Sequence, residues 1–357
     1  MTPEETTYTQ HLPFASDAAL RRRFMVTDEP VRSNVRVGLL LEVLDKLAEE
    51  IALKYARLWY PEARVVTAAI DHVTVRGVPD ISRDMVLKAR INYISKKSME
   101  VGVRIEQPGE PLLHIASCYI TMVARVTEDG AERSVSLPPL EYLTQLEKDR
   151  AARAIKRREN YLAIRNAGDE PPSREEYLLL RRLHEAQERP SEGLLLAADL
   201  VTSGWERTYP EYENVPQKIF GGYVAHRAYM YAHICAEMIA TKRVLLTSVD
   251  RINFYQPVRM GDKLHFVSRV TFTGETSISV ETEITRISRD RKVTALSNAC
   301  TFVFVHVDGE LNALPVPPIH PTTYAEDARY LVGYRRWKAY CEKREAKGQP
   351  VTAALCE

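Results

Sequence analysis

The sequence predicts an α+β chain built from two copies of one module, each an antiparallel sheet wrapped around a long central helix, with a helical segment between them. Three observations carry that reading. The chain repeats itself at offsets of 179 to 184 residues; each copy opens with one long helix that has an apolar face; and several strands follow that helix with no second helix between them.

The repeat comes first because it fixes everything else. Val66 to Val101 aligns without a gap on Leu245 to Val280, so that Asp71 falls on Asp250, Arg90 on Arg269 and Ser98 on Ser277 at an offset of 179. Farther on, SCYITMV from Ser117 matches ACTFVFV from Ala299 at 182, which places a three-residue insertion between strands, where a hairpin loop tolerates it. Upstream, Gly38 matches Gly222 at 184, and each glycine opens a helix.

In the first copy, Leu39 to Trp59 places Leu40, Leu44, Leu47 and Ile51 at three- and four-residue spacing, one apolar face of a helix. The segments that follow are rich in Val, Ile, Thr and Tyr. Met99, Val101, Val103 and Ile105 alternate with Glu100, Gly102, Arg104 and Glu106, the pattern of a strand with one packed face and one more exposed. Strands without intervening helices exclude a doubly wound parallel sheet. A sheet with an apolar face and a single long helix per copy implies a sheet curled around that helix.

Length and composition agree. The 357 residues suit two domains, since single cores stop growing at about 250–300 residues. Lys plus Arg total 49 against 48 Asp plus Glu, so no global charge draws the chain to nucleic acid or an anionic membrane. No apolar run approaches the roughly 20 residues of a membrane span. The acidic N-terminus, with Glu4, Glu5 and Asp17, is unlike a secretory or transit signal, and a cytoplasmic location is expected. Five cysteines without CxxC spacing (Cys118, Cys235, Cys300, Cys341, Cys356) are expected to be reduced thiols.

The expected domains are an N-terminal extension (1–30), a first sheet-and-helix module (31–137), a helical insert (138–213), a second module (214–312) and a C-terminal helical segment (313–357). The insert carries Lys156-Arg157-Arg158 among acidic residues, which reads as a solvated helix face. Tyr330, Tyr334 and Trp337 share one face of the C-terminal helix, expected to pack on the body or on a neighbouring subunit.

The chemistry is suggested by NVPQKIFGG, Asn214 to Gly222, just before the second long helix. Glycines at a helix start leave the first backbone N–H groups open to an approaching carbonyl oxygen, and the helix dipole favours negative charge there. That is an oxyanion site. Asn214 adds an amide able to orient a water or a thioester.

Asn, six residues, Gly-Gly and a helix, followed by SVDRINFYQPVRMGDKLHF, resembles the hotdog fold as used in acyl-CoA thioesterases. Two copies per chain resemble the double-hotdog members, and KIFGGYVAHRAY, RVGLLLEVLDKLA, SKKSMEV and HPTTYAEDARYLVGYRR resemble the acyl-CoA thioesterase 9 branch. The resemblance runs from about Leu12 to about Trp337 and is loosest in the insert. It implies hydrolysis of acyl-CoA to a carboxylic acid and coenzyme A within fatty-acid and lipid metabolism, without a metal or other cofactor, by a homotrimer that mimics a hexamer of single hotdogs.

In that family a loop Asn of one hotdog and a helix Asp of the facing one share a site, beside the backbone N–H of the glycine pair. The resemblance assigns Asn214, Gly221, Gly222 and Tyr223 to the loop side. The acid stands seven residues after the second glycine. Counting from Gly222 gives Tyr229, and from Gly38 gives Asp45. The first copy in turn has Val37 for the first glycine and Pro30 for the loop Asn, with Asn34 in another register. Each copy lacks a different half, so one composite site is expected, from Asp45 and Asn214 with the Gly221–Gly222–Tyr223 backbone, while Tyr229 with Asn34 is inert.

Coenzyme A needs a local cationic rim, for which Arg90, Lys96, Lys97 and Ser98 and the matched Arg269 and Ser277 are candidates. The competing reading is a catalytically silent acyl-CoA-binding or assembly protein on the same scaffold. A hotdog dehydratase is set aside, because Met260 to Leu264 lacks the Asn-Pro and the His such a loop requires.

Overall fold

The structure is a computed structural model that describes residues 1–167, 170–188, 193–215 and 218–345, without the side chains of 160–167, 213–215, 218 and 343–345. Ten strands form one continuous sheet: β1 (Tyr8–Leu12), β2 (Arg64–Val75), β3 (Met85–Ile94), β4 (Met99–Gln107), β5 (Leu113–Glu128), β6 (Val201–Arg207), β7 (Arg243–Phe254), β8 (Lys263–Thr273), β9 (Ser277–Ile287) and β10 (Thr294–Val307). Their spatial order is β1-β3-β4-β5-β2-β7-β10-β9-β8-β6, and a short strand at Ala131–Ser134 extends β5. Every pairing along this path is antiparallel.

The order is a palindrome of the repeat. Each half holds five strands, and the halves meet where β2 pairs with β7, Ile70 opposite Ile252 and Val73 opposite Val249. The Arg251 guanidinium bonds the Asp71 carboxylate across that seam. Registers match as well: Met99 faces Met122 in the first half and Ile278 faces Phe304 in the second, repeat partners at 179 and 182. The three-residue shift therefore falls in the β9–β10 hairpin, where the alignment placed it.

Each half curls around its own helix, α2 (Val37–Arg57) or α5 (Gly221–Glu237). Small residues recur at helical spacing, Ala48, Ala52 and Ala56 in α2 and Ala228, Ala232 and Ala236 in α5, all fully buried. The missing bulk brings the helix axis close to the sheet, whose inward row in β4 is Met99, Val101, Val103 and Ile105. The opposite row is less open than alternation predicted: Glu100 and Glu106 are buried too. Arg157 bonds Glu100 at 3.1 Å and Lys88 pairs with Glu106 at 2.8 Å, so charge partners cover that face.

Arg157 lies on α3 (Gln145–Ala167), which crosses the outside of the first half, and its guanidinium sits 3.6 Å from the Tyr119 ring centre. Of the basic triplet, Lys156 and Arg158 are exposed as expected and Arg157 is not. The counterpart of α3 is α6 (Tyr324–Glu345), on which Tyr330, Tyr334 and Trp337 close on Phe272 at 5.2–6.2 Å between ring centres. Both helices start with the same reciprocal cap, Thr144 with Glu147 and Thr323 with Glu326. Both press an arginine onto an acid of the sheet, Arg157 on Glu100 and Arg336 on Asp250. Pro138-Pro139, Thr144, Glu147, Arg150 and Arg157 recur at 179 as Pro317-Pro318, Thr323, Glu326, Arg329 and Arg336. The repeat thus runs on through the terminal helices, beyond the boundaries drawn at 137 and 312.

The outer segments likewise supply edge strands. The first 30 residues include β1 and a short helix α1 (Ala18–Phe24), and the insert includes α4 (Arg174–Glu188) and β6. Edge strands are short and half exposed, so they lack the apolar alternation that would have marked them. Cys118, Cys235, Cys300 and Cys341 are free thiols, and Cys356 lies outside the described residues. No helix among the described residues is long and apolar enough to cross a membrane.

Candidate active site

The two central helices cross antiparallel at their N-terminal halves. A Cβ on Gly222 would stand 2.9 Å from the Glu42 Cα, and one on Gly38 only 2.1 Å from the His226 Cδ2. Glycine is required at both positions by this approach. The His226 Nδ1 and the Glu42 Oε1, 2.7 Å apart, tie the helices together at the crossing.

An α-helix that starts at Gly221 leaves its first N–H groups without acceptors inside the helix, and Phe220 at the N-cap offers no side-chain bond. The missing cap comes from the other copy. Asp45 of α2 accepts the Gly222 N–H at 2.6 Å through Oδ2 and the Thr67 hydroxyl of β2 at 2.6 Å through Oδ1. The carboxyl is wholly buried, and burial pushes its pKa from 3.8 up to about 6 against the lowering by Thr67 and Gly222. Desolvation therefore outweighs two hydrogen bonds, leaving a carboxylate that is ionised at neutral pH yet more basic than an ordinary one. The Phe254 ring forms an apolar wall here: a Cβ on Gly221 would lie 3.1 Å from the Asp45 Oδ2 and 3.2 Å from that ring.

Asp45 and Gly222, assigned from opposite copies, are thus hydrogen-bonded. Gly222 spends its N–H on the acid, which leaves Gly221 and Tyr223 as the other N–H groups of that turn. The Tyr223 ring stacks on Tyr212 at 3.9 Å and its hydroxyl bonds Glu206 at 3.2 Å. Asn214 lies in a short strand, Glu213–Val215, just ahead of the helix, and its side chain lies outside the described residues. Thr67 was missed by sequence reasoning. Its repeat partner is Leu246, and a lone Thr in a strand carries no spacing signal.

The pseudo-equivalent position is closed. Tyr229 stands where Asp45 would be and packs on Phe302 and Phe304 at 6.0 and 6.1 Å, while Leu246 replaces Thr67. The Asn34 amide accepts from Val26 and Thr27 and donates to the Thr27 and Glu29 carbonyls, so it holds its own loop.

The structure does not gather the predicted cationic rim at Asp45. Arg90 and Arg269 alternate with inward residues and point to the outer sheet face, where Arg90 meets Glu4 at 2.8 Å and Arg269 meets Glu283 at 2.9 Å. Lys96 and Lys97 are exposed at the β3–β4 hairpin, the Ser98 hydroxyl faces that of Ser95 at 2.7 Å, and Ser277 begins β9 beside Gly274. Among the described residues no group of His, Cys, Asp and Glu is arranged to hold a metal.

Comparison with known proteins agrees with this fold. The family model of the thioesterase superfamily matches residues 217–293, the glycine-led helix and the strands after it. Mitochondrial acyl-coenzyme A thioesterase 9 of Homo sapiens is 25% identical over 344 residues, covering 92% of this chain and 76% of that protein. An uncharacterised acyl-CoA thioester hydrolase of Zymomonas mobilis is 30% identical over 118 residues, covering 33% of this chain and 79% of that protein. A solved candidate oleoyl thioesterase from Lactobacillus plantarum superposes with a TM-score of 0.51 at 9% identity, over 85% of this chain and 97% of that one, a likeness of fold alone. With two hotdog halves, a glycine-led helix capped by an acid from the other half, and these relatives, the chain belongs to the acyl-CoA thioesterase family in its double-hotdog form.

Proposed function

We propose that the chain hydrolyses the thioester of an acyl-CoA at one composite site between its halves. The observation that carries this is the buried Asp45 carboxylate, held by Thr67 and by the first turn of the facing helix. Asp45 takes a proton from a water that attacks the thioester carbon. The Tyr223 N–H, at the positive end of the helix, meets the developing oxyanion. Asn214 orients the water or the carbonyl. As the carbon–sulfur bond breaks, Asp45 returns its proton to the departing thiolate, so that acid, free coenzyme A and the starting carboxylate result.

Release of free thiol from a panel of acyl-CoAs tests the reading. Wild type should turn over, Asp45→Ala and Asn214→Ala should lose about 100-fold or more, and Tyr229→Phe should match wild type. Unchanged rates in both variants would show the composite site to be wrongly assigned. Binding without thiol release would favour the silent acyl-CoA-binding scaffold.

Two further parts belong to this proposal. Three chains assemble into a ring of six hotdogs, a reading supported by the family resemblance and by exposed large apolar side chains on the second half, among them Trp205, Val293 and Leu296. Light scattering behind size exclusion should give three times the 40.7 kDa chain mass, and a monomer would refute it. A cytoplasmic location is the remaining part of the proposal, against the mitochondrial naming of the human relative. Imaging of the tagged full chain decides between the two.

A further inference from the structure

The crossing of the two central helices lies on the pseudo-twofold axis of the chain. At the offset of 184, Gly38 corresponds to Gly222, Glu42 to His226 and Asp45 to Tyr229. The close contacts obey that symmetry: a side chain at 38 would meet the His226 ring, and one at 222 would meet the Glu42 backbone. Glu42 and His226 are counterparts in the repeat, and they meet each other, Oε1 to Nδ1 at 2.7 Å, with both side chains largely removed from water. A position that meets its own counterpart sits on the axis, where two identical helices would set that residue against itself.

The repeat gives the contacts that other pairings of halves would make. Two first halves, from two chains, would bring Glu42 against a second Glu42. They would also bring Lys46, which here lies over the Phe220 ring at 5.3 Å, against Arg36, the counterpart of Phe220. Acid would meet acid and cation would meet cation at a place mostly shielded from water. Two second halves would bring His226 against His226, and Met230, the counterpart of Lys46, against Phe220, contacts without fixed like charges. The sheet seam makes no such choice. Its Asp71–Arg251 contact would become Asp71 with His72 or Asp250 with Arg251, an acid opposite a base in either like pairing.

We infer that Glu42 and His226 select which halves pair: the carboxylate bars the first halves of two chains from each other and accepts the second half through its imidazole. The hydrogen bond forms with the imidazole neutral or charged, since Nδ1 can carry a proton in both states. Only the pairing of unlike halves joins Asp45 to the Gly222 N–H. Two first halves would have two acids and no glycine pair, and two second halves would have glycine pairs and Tyr229 in place of the acid. Order of synthesis makes the first half the one that needs a bar. The 184 residues between counterparts take about 10–40 s to translate at about 5–20 residues per second. During that time α2 has no partner in its own chain. This choice of partner holds whether or not the chain cleaves a thioester.

The test reads the yield of folded full chain after dilution from urea, by circular dichroism and light scattering, and so is independent of turnover. His226→Glu puts two acids at the crossing and should lower that yield roughly tenfold. In that background Glu42→Gln, which keeps the shape of the side chain without its charge, should recover most of the yield, and Glu42→Lys all of it. A packing role for the His226 ring over Gly38 predicts no difference between Glu and Gln at 42. Partner choice is read between chains. His226→Glu chains refolded together with Glu42→Lys chains should regain their yield, because exchanging halves sets the new lysine against the new glutamate and restores one Glu42–His226 pair. Wild-type chains should not rescue them, since that exchange still leaves two acids together. Full yield of His226→Glu alone, equal yields with Glu and Gln at 42, or equal rescue by the two helper chains, none included, overturns the inference.

Discussion

Asp45→Asn separates a strained catalytic base from a structural helix cap, because the two roles predict opposite effects on stability. The native carboxyl has its pKa raised from 3.8 to about 6, so the folded state binds the proton more tightly than the unfolded chain. The carboxylate therefore costs nothing below pH 3.8, and its penalty grows as pH rises through 6. A shift of about two units corresponds to about 3 kcal/mol at pH 8. Asparagine keeps the shape, its oxygen can accept the Gly222 N–H, and its amide can donate to the Thr67 oxygen, so both neighbours stay satisfied. The variant should be more stable than wild type by about 1–3 kcal/mol at pH 8, seen as a few degrees in Tm, with the gap closing toward pH 4. Thiol release should fall by a factor of about 100 to 10,000. A variant that is less stable than wild type at pH 8, or a difference independent of pH, would mean that the carboxylate is there to cap α5 and that burial does not strain it.

Thr67→Val removes the hydroxyl that lowers the Asp45 pKa, so the acid limb of the kcat/KM profile should move about one unit to higher pH, with the plateau reduced; an unmoved limb would mean that Asp45 is not the titrating group. Gly38→Ala would place a Cβ 2.1 Å from the His226 ring, and His226→Ala would clear that space at the loss of the Glu42 contact. Urea unfolding of the two single variants and the double should give a coupling of about 1–3 kcal/mol in the relieving direction. Additive effects would show that the crossing yields elsewhere.

The legible parts of this molecule were those that the repeat wrote twice. Strand pairs at 179 and 182 gave the sheet, because buried alternation leaves marks in sequence, while Asp45 came from the family resemblance, whose count of seven could be taken from Gly38 once the repeat had aligned it with Gly222. Thr67 left none, since its partner had become Leu246. The edge strands left none either, being short and half exposed. The terminal helices were legible and overlooked: Pro-Pro, Thr, Glu and Arg recur at the same 179 in both, but mixed charge made one helix look like an insert. Charge was also the wrong guide to the rim, because Arg90 and Arg269 are each taken up by a carboxylate on the outer face, Glu4 and Glu283.

That asymmetry follows from placing both halves in one chain. In a homodimer of single hotdogs every position is used twice, so a change from Asp to Tyr at the catalytic register removes both acids at once. In a tandem chain one copy can lose its acid while the other retains it, and the vacated position is then free to serve packing. Tyr229 does so against Phe302 and Phe304. Each later change makes return harder: a carboxylate at 229 would lie beside Leu246 without a hydroxyl, and it would face a helix start at which Val37 has replaced a glycine. A buried charge with one partner in place of two costs several kcal/mol more than an aromatic ring in the same space.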